Sequence, residues 1–304
     1  MGYDLLCIGD IFCDMIAKPV KRLPKANQQA ITGIMVNKGG EAANTACAAS
    51  MLGLRTAFIG RAGNDAIGER VLEKMKECGV DLFVKRDEKK ATAITMAIAW
   101  GKDKRAFISS EGANAGLGPE DVDMKLIDKS ANVMRGGIWH TSGLLGENRR
   151  ILKEAREKGK ETSMNLGWDP QGWGKERRKL ILDCMRYTDI LFLNEEELKA
   201  LAGREGAKKI IGLGASMIGL HQGAKGSTVI AKGIKIKSRG LKVTTANSTG
   251  AGDVYNAAFI YGRVKGMDLD EIAEFANTAA AMHVEKEGDY LPTSKEVEKR
   301  TRDK

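Results

Sequence analysis

Proline is scarce in this sequence, with 5 among 304 residues, and aromatic side chains make up only 5%. Few prolines beside 36 glycines exclude a proline-rich disordered linker and point to tight turns and close backbone approaches. Few aromatics argue against a surface that stacks nucleic-acid bases on clustered rings. No apolar run approaches the about 20 residues of a membrane span, and Leu5–Gly9 lacks the basic flank of a secretion signal. A cytoplasmic protein with no membrane partner is expected. The five cysteines (Cys7, Cys13, Cys47, Cys78, Cys184) include no CxxC and have no histidine at ligand spacing. They read as buried reduced thiols.

What is present is an ordinary soluble composition, 42% hydrophobic and 29% charged, with 49 Lys+Arg against 40 Asp+Glu and a formal net charge of +9. The basic residues are interleaved with glutamates, as at Lys153, Arg156 and Lys158. That spacing gives a solvated surface with mild attraction for anionic substrates, not a nucleic-acid face.

Short apolar strands alternate with amphipathic helices. Leu5–Gly9, Thr56–Gly60, Asp189–Leu193 and Ala215–Leu220 read as strands. Helices are expected from the glycines at 39–40 to about Leu52, and over Ala66–Cys78, Ile151–Lys158 and Glu195–Ala202, each closed by a glycine. Such alternation implies a mainly parallel, doubly wound sheet. One segment breaks the rhythm: Ala91–Trp100, Gly101-Lys102-Asp103-Lys104 and Arg105–Ser109 read as a β-hairpin. With residues around 12–36 it forms a small sheet over one end of a single domain spanning 1–304. Lys295–Lys304, heavily charged, is expected to be a frayed helix.

The most informative stretch is Asn247-Ser248-Thr249-Gly250-Ala251-Gly252-Asp253, which runs into a helical segment. Amides 250–253 would lie at a helix N-terminus, where free N–H groups and the helix dipole attract anions. Alone, the run also reads as a capped helix start. A carboxylate inside a phosphate cradle is suited to phosphoryl transfer. No Gly-Lys-Ser/Thr follows, so this is not a Walker A loop, and it lacks GxGxxG spacing.

This run, together with Gly39-Gly40-Glu41-Ala42-Ala43-Asn44-Thr45-Ala46 about two hundred residues earlier, resembles the PfkB or ribokinase family of carbohydrate and nucleoside kinases. Weaker matches are Gly112-Ala113-Asn114, Asn194-Glu195-Glu196-Glu197, Gly223-Ala224-Lys225-Gly226 and Leu291-Pro292-Thr293. The resemblance implies a ribokinase-like α/β fold, a doubly wound, mainly parallel sheet flanked by helices, with a small β-sheet lid drawn from about 12–36 and 90–112. It implies Asp253 as general base and the amides of Gly250, Ala251 and Gly252 as anion hole. Asn194 and Glu197 would place Mg²⁺, through water, and the ATP phosphates. Gly223 and Gly226 would flank the adenine, with Asn277 facing the nucleotide. Asp14, Gly40 and Asn44 would bind sugar hydroxyls.

Asp10, in the same turn as Asp14, is a further substrate candidate, although it also reads as a strand end. Arg105 in the hairpin is another. His221 ends a strand beside the nucleotide pocket. His140 reads as structural more than functional, and His283 as an ordinary helix residue. Asn247 replaces the family's acid at a monovalent-cation site, which leaves K⁺ undecided. Phe12 and Glu41 replace a polar residue and a lysine of ribokinases, and Asn165 stands where relatives often carry Asp. Strict ribose specificity is therefore not expected. The expected activity is ATP-dependent phosphorylation of a sugar or sugar-like alcohol. A nucleoside kinase is the nearest rival, and a non-catalytic binding relative would have lost Asp253 or the glycines. A homodimer through the lid is compatible with its apolar strands.

Overall fold

The computed structural model describes residues 2–101, 104–244, 248–286 and 289–303. Nine strands form the main sheet: β1 (Tyr3–Ile8), β4 (Thr56–Gly63), β5 (Asp81–Asp87), β8 (Ser130–Arg135), β9 (Glu161–Asn165), β10 (Ile190–Asn194), β11 (Met217–His221), β12 (Gly226–Ala231) and β13 (Ile234–Arg239). Their spatial order is β13-β12-β11-β10-β9-β8-β1-β4-β5. All pairings from β5 to β11 are parallel, and β12 and β13 return antiparallel at one edge. The expected doubly wound sheet is present.

Among the described residues ten α-helices accompany the strands: α1 (Glu41–Met51), α2 (Ala66–Glu77), α3 (Met124–Asp128), α4 (Asn148–Glu157), α5 (Lys175–Leu182), α6 (Glu195–Ala202), α7 (Gly206–Gly212), α8 (Ala251–Lys265), α9 (Leu269–Glu285) and α10 (Ser294–Arg302). One layer of core joins α1, α8 and α9 around Phe58, Phe192 and Phe259, and the opposite layer gathers Ile138, Leu152, Met164 and Leu191. Burial on both faces accounts for strands that read as continuous apolar runs.

The chain winds outward from β1 in one direction through β4 and β5, and in the other from β8 through β11. The switch point therefore lies between β1 and β8, where a crevice opens beyond the strand ends. Gly9-Asp10 leaves β1 and Gly136–His140 leaves β8 at this place.

A second sheet, ordered β3-β2-β6-β7, consists of β2 (Phe12–Ala17), β3 (Ile34–Gly39), β6 (Ile94–Trp100) and β7 (Lys104–Ser110). This is the expected smaller sheet, and its register separates two faces. Asn37, Asp14, Thr95 and Ser109 form one cross-strand row, and Val36, Met15, Met96 and Ile108 form the next. Adjacent positions point to opposite faces. The polar row is the roof of the crevice, whereas Val36, Met96 and Ile108 are exposed on the far side.

The C-terminal segment departs from expectation. α10 begins with a reciprocal capping box between Thr293 and Glu296, and Val297 is fully buried. Cap and anchor order a helix that its charge content alone marks as frayed. Cys78 is the one cysteine that is not buried. Among the described residues no helix is long and apolar enough to cross a membrane.

Candidate active site

Two clefts meet at the start of α8. One, of about 770 Å³, lies under the lid and is lined by Asp10, Phe12, Asp14, Gly40, Glu41, Asn44 and His140, with Thr249, Gly250 and Asp253 at its end. The other, of about 420 Å³, is lined by Gly223, Gly226, Asn277 and Val284, with Ser248 and Ala251 at its end. The loop into α8 is thus the partition between them.

Local sequence accounts for this partition. Gly250 caps α8 at φ +82°, a left-handed conformation that suits glycine, and no side chain caps the helix. The first-turn amides of a 15-residue helix are therefore available to an anion. Asp253, in that first turn, is buried, and its carboxylate accepts from two side-chain amides: Asn44 Nδ2 at 3.1 Å from Oδ2 and Asn165 Nδ2 at 3.3 Å from Oδ1. Burial pushes its carboxyl well above the usual range, Asn44 opposes the shift, and the charge of Asp10 adds to it.

Asn44 is held from behind. Its Oδ1 accepts from Lys38 Nζ at 3.3 Å, and the same ammonium pairs with Asp289 at 2.9 Å. Asn44 is delivered by α1, whose N-cap is Gly40 at φ +100°. A Cβ there would lie 2.6 Å from the Asp10 carbonyl, so the diglycine lets α1 start against the β1 turn. Asp10 Oδ1 accepts from the Ala42 amide at 2.9 Å, so this acid caps α1 and also lines the cleft.

Glu41 is half-buried and lies beside Asp253 in the same cleft. Its Oε2 accepts from Gly137 N at 3.1 Å and from Asn165 Nδ2 at 3.2 Å. Burial, then the negative charges of Asp10 and Asp253, raise its carboxyl well above the ordinary value. Asp14 is pushed up to about 7 by burial and by Asp10, with Lys38 acting in the opposite sense.

Asn194 and Glu197 form a capping box at the start of α6: Glu197 N donates to Asn194 Oδ1, while Glu197 Oε2 and Oε1 accept from the Asn194 backbone and side-chain amides. Both carboxylate oxygens already have a donor, and burial raises the Glu197 carboxyl. Among the described residues no three His, Cys, Asp or Glu converge as a direct metal site. The donor set fits a hydrated Mg²⁺ held through water, not one bound inner-sphere.

Other positions are redistributed. His221 does not line the second cleft. Its Nε2 meets Asn256 Oδ1 at 2.9 Å, its ring packs edge-on against Tyr255, and burial lowers it to about 4, a neutral support under α8. His140 lines the lid cleft, edge-on to Phe12 at 5.2 Å, instead of serving only the core. His283 is no ordinary helix residue: its Nδ1 lies 2.6 Å from Tyr290 O and its Nε2 2.8 Å from Thr249 O, tying the partition loop to the C-terminal segment. Lys38 went unnoticed in the sequence, although its place just before Gly39-Gly40 is a usable signal. Asn277 donates to Ser238 O at 3.1 Å within the second cleft. Asn247 and the Arg105 side chain lie outside the described residues.

A model of the pfkB family carbohydrate kinases matches residues 3–296. The chain belongs to this family. It is accordingly an ATP-dependent carbohydrate kinase. This pfkB kinase is 29% identical over 273 residues to the 2-dehydro-3-deoxygluconokinase of Thermoproteus tenax, covering 85% of this chain and 83% of the relative. Among solved structures it resembles Arabidopsis thaliana ribokinase complexed with ribose and ATP (TM-score 0.83, 25% identity, 99% of each chain). It also resembles adenosine kinase from Sinorhizobium meliloti (TM-score 0.84, 26% identity, 100% and 99% coverage).

Proposed function

We propose that Asp253 is the general base of this carbohydrate kinase and that the amides of Gly250, Ala251 and Gly252 hold the phosphoryl group in flight. The observation that carries the reading is the partition loop. Residues 248–253 contribute to both clefts, so a donor on one side and an acceptor on the other meet at one uncapped helix N-terminus.

ATP would lie along the second cleft, its adenine against Gly223, Gly226 and Asn277. The acceptor would lie under the lid, where Asp10, Asp14, Gly40 and Asn44 meet its hydroxyls. Asp253 accepts the proton of the attacking hydroxyl as the oxygen bonds to the γ-phosphorus and ADP departs. A raised carboxyl pKa suits this task, because the base is then strong enough to take a proton near neutrality. Asn194 and Glu197 would orient hydrated Mg²⁺, which neutralises phosphate charge when bound. The lid roof excludes water, favouring transfer to the acceptor over hydrolysis.

A nucleoside acceptor is the second reading, favoured by rings in the lid cleft. Phe12, Phe107 and Trp168 line it, and the latter two are about half exposed, as an apolar platform for a base would require.

Asp253→Asn tests the assignment. ATP binding should persist while turnover falls about a thousandfold. Near-normal turnover would remove Asp253 from the chemistry.

A further inference from the structure

His283 stands between two acceptors. Its Nδ1 lies 2.6 Å from the Tyr290 carbonyl oxygen and its Nε2 2.8 Å from that of Thr249. A carbonyl oxygen only accepts, so each ring nitrogen must donate. A neutral imidazole carries one N–H and would set a lone pair against one of the two oxygens. The ring that satisfies both is the doubly protonated imidazolium.

The surroundings suit a cation. His283 is buried in the last turn of α9, a 17-residue helix, where the negative end of the helix dipole favours positive charge. The small cavity beside it is lined by Asp14 from β2 and Asp289 from the segment after α9, with Lys38 from β3 facing them. Farther out, Lys286 lies over the Tyr290 ring and Glu296 of α10 accepts from the Tyr290 hydroxyl.

One peptide unit carries this charge toward the phosphoryl group. The carbonyl of Thr249 and the N–H of Gly250 belong to the same peptide. A charge-assisted bond to the oxygen draws electron density from the nitrogen and makes its N–H a stronger donor. His283 lines neither the lid cleft nor the second cleft, so its effect on the reaction passes through the partition loop.

Resting on the anion-hole reading above, we infer that His283 is a positioning residue for phosphoryl transfer. As an imidazolium it fixes the Thr249 carbonyl and strengthens the Gly250 amide that holds the phosphate.

Nitrogen-15 NMR of the histidine-labelled full chain tests the charge, with the ring assigned by loss of its signals in His283→Gln. Both ring nitrogens should carry a proton at neutral pH. A single N–H would overturn the inference, and this reading needs no acceptor. Kinetics test the consequence, with turnover read as ADP formed in the presence of the best of D-ribose, 2-dehydro-3-deoxygluconate and adenosine. His283→Gln keeps one donor without the charge. Its kcat should fall about tenfold, with KM for ATP and acceptor held within about twofold. Val297→Ala removes the buried anchor of α10 and serves as the stability control. It should lower the thermal midpoint yet keep parental kcat, and an equal loss of kcat in this variant would reduce His283 to a structural part. Parental kcat in His283→Gln beside lost turnover in Gly250→Ala overturns the inference and leaves the anion hole standing. Parental kcat in both removes the anion hole and this inference with it.

Discussion

Asn44 and Asp253, 209 positions apart in the chain, are joined by a 3.1 Å hydrogen bond in which the amide donates to the carboxylate. The bond favours the ionised form of a group that burial and the Asp10 charge push toward protonation. Since the base acts ionised, kcat/KM should rise with pH through a raised carboxyl pKa and then level. In Asn44→Leu the opposing contribution is gone, so the acidic limb should move up by about one unit and the plateau should fall. A pH–rate profile measured for both proteins at saturating ATP checks this. An unmoved limb would show that another group titrates.

Asp14 predicts how stability depends on pH in the absence of ligand. Its carboxyl is at 3.8 in the reference state and about 7 when folded, so the folded state holds the proton more tightly. The associated stability is complete below about pH 4 and is lost as pH rises to 7 and beyond, amounting to at most about 4 kcal/mol. Asp14→Asn should therefore flatten the decline and be the more stable protein at pH 8, while losing acceptor affinity. Urea midpoints between pH 4.5 and 8 decide it. A variant that declines in parallel with the parent would place the pH dependence elsewhere, in Glu41 or Asp253.

Lys38 links β3 to Asp253 through Asn44. Its ammonium, buried on β3, joins Asp289 and Asn44 Oδ1, and Asn44 in turn orients Asp253. Lys38→Met keeps the volume but leaves Asp289 unpaired and the Asn44 amide unoriented. Stability should fall by about 3 kcal/mol, the usual result of removing one partner of a buried pair. Turnover should fall about tenfold with KM for ATP unchanged, because the second cleft is untouched. A rise in KM for ATP with kcat intact would contradict this path.

The parts of the site legible in sequence are those whose chemistry is local. Gly40 and Gly250 are called for by backbone conformations beside Asn44 and Asp253, and the Asn194–Glu197 pair closes within one turn. Lys38, His283 and the double role of Asn165 were not legible, because their partners come from other elements. His283 lies in α9 with regular helical surroundings, and only folding brings Thr249 O and Tyr290 O to its two nitrogens. Glu41 and Asn165, read separately in the sequence, are in contact: Asn165 Nδ2 donates to Glu41 Oε2 at 3.2 Å.

That contact has its own consequence. Asn165→Asp would set a third carboxylate between Glu41 and Asp253 and remove a donor to each, whereas Glu41→Lys alone would leave an ammonium beside Asn165. The single variants should each lower kcat/KM about tenfold or more, and the double variant should recover part of the loss, giving a coupling of about 1 kcal/mol or more in a double-mutant cycle. Strict additivity would show that the two positions act independently.

Gly250 and Gly266 sit at the two ends of α8, both in left-handed conformations at φ +82° and +70°. Alanine at either should cost about 1–2 kcal/mol of stability through backbone strain. Their surroundings differ. A Cβ at Gly266 meets nothing within 4 Å, whereas one at Gly250 lies 3.3 Å from His283 Nε2 and 3.6 Å from Asn44 Nδ2. It presses on the tether of Thr249 and on the donor to Asp253, so the first-turn amides must shift. Displacing an anion-hole donor typically lowers turnover about 100-fold. Gly250→Ala should show that loss, while Gly266→Ala should match it in thermal midpoint but keep parental kcat. Equal turnover in the two variants would mean that the helix start does not hold the phosphate.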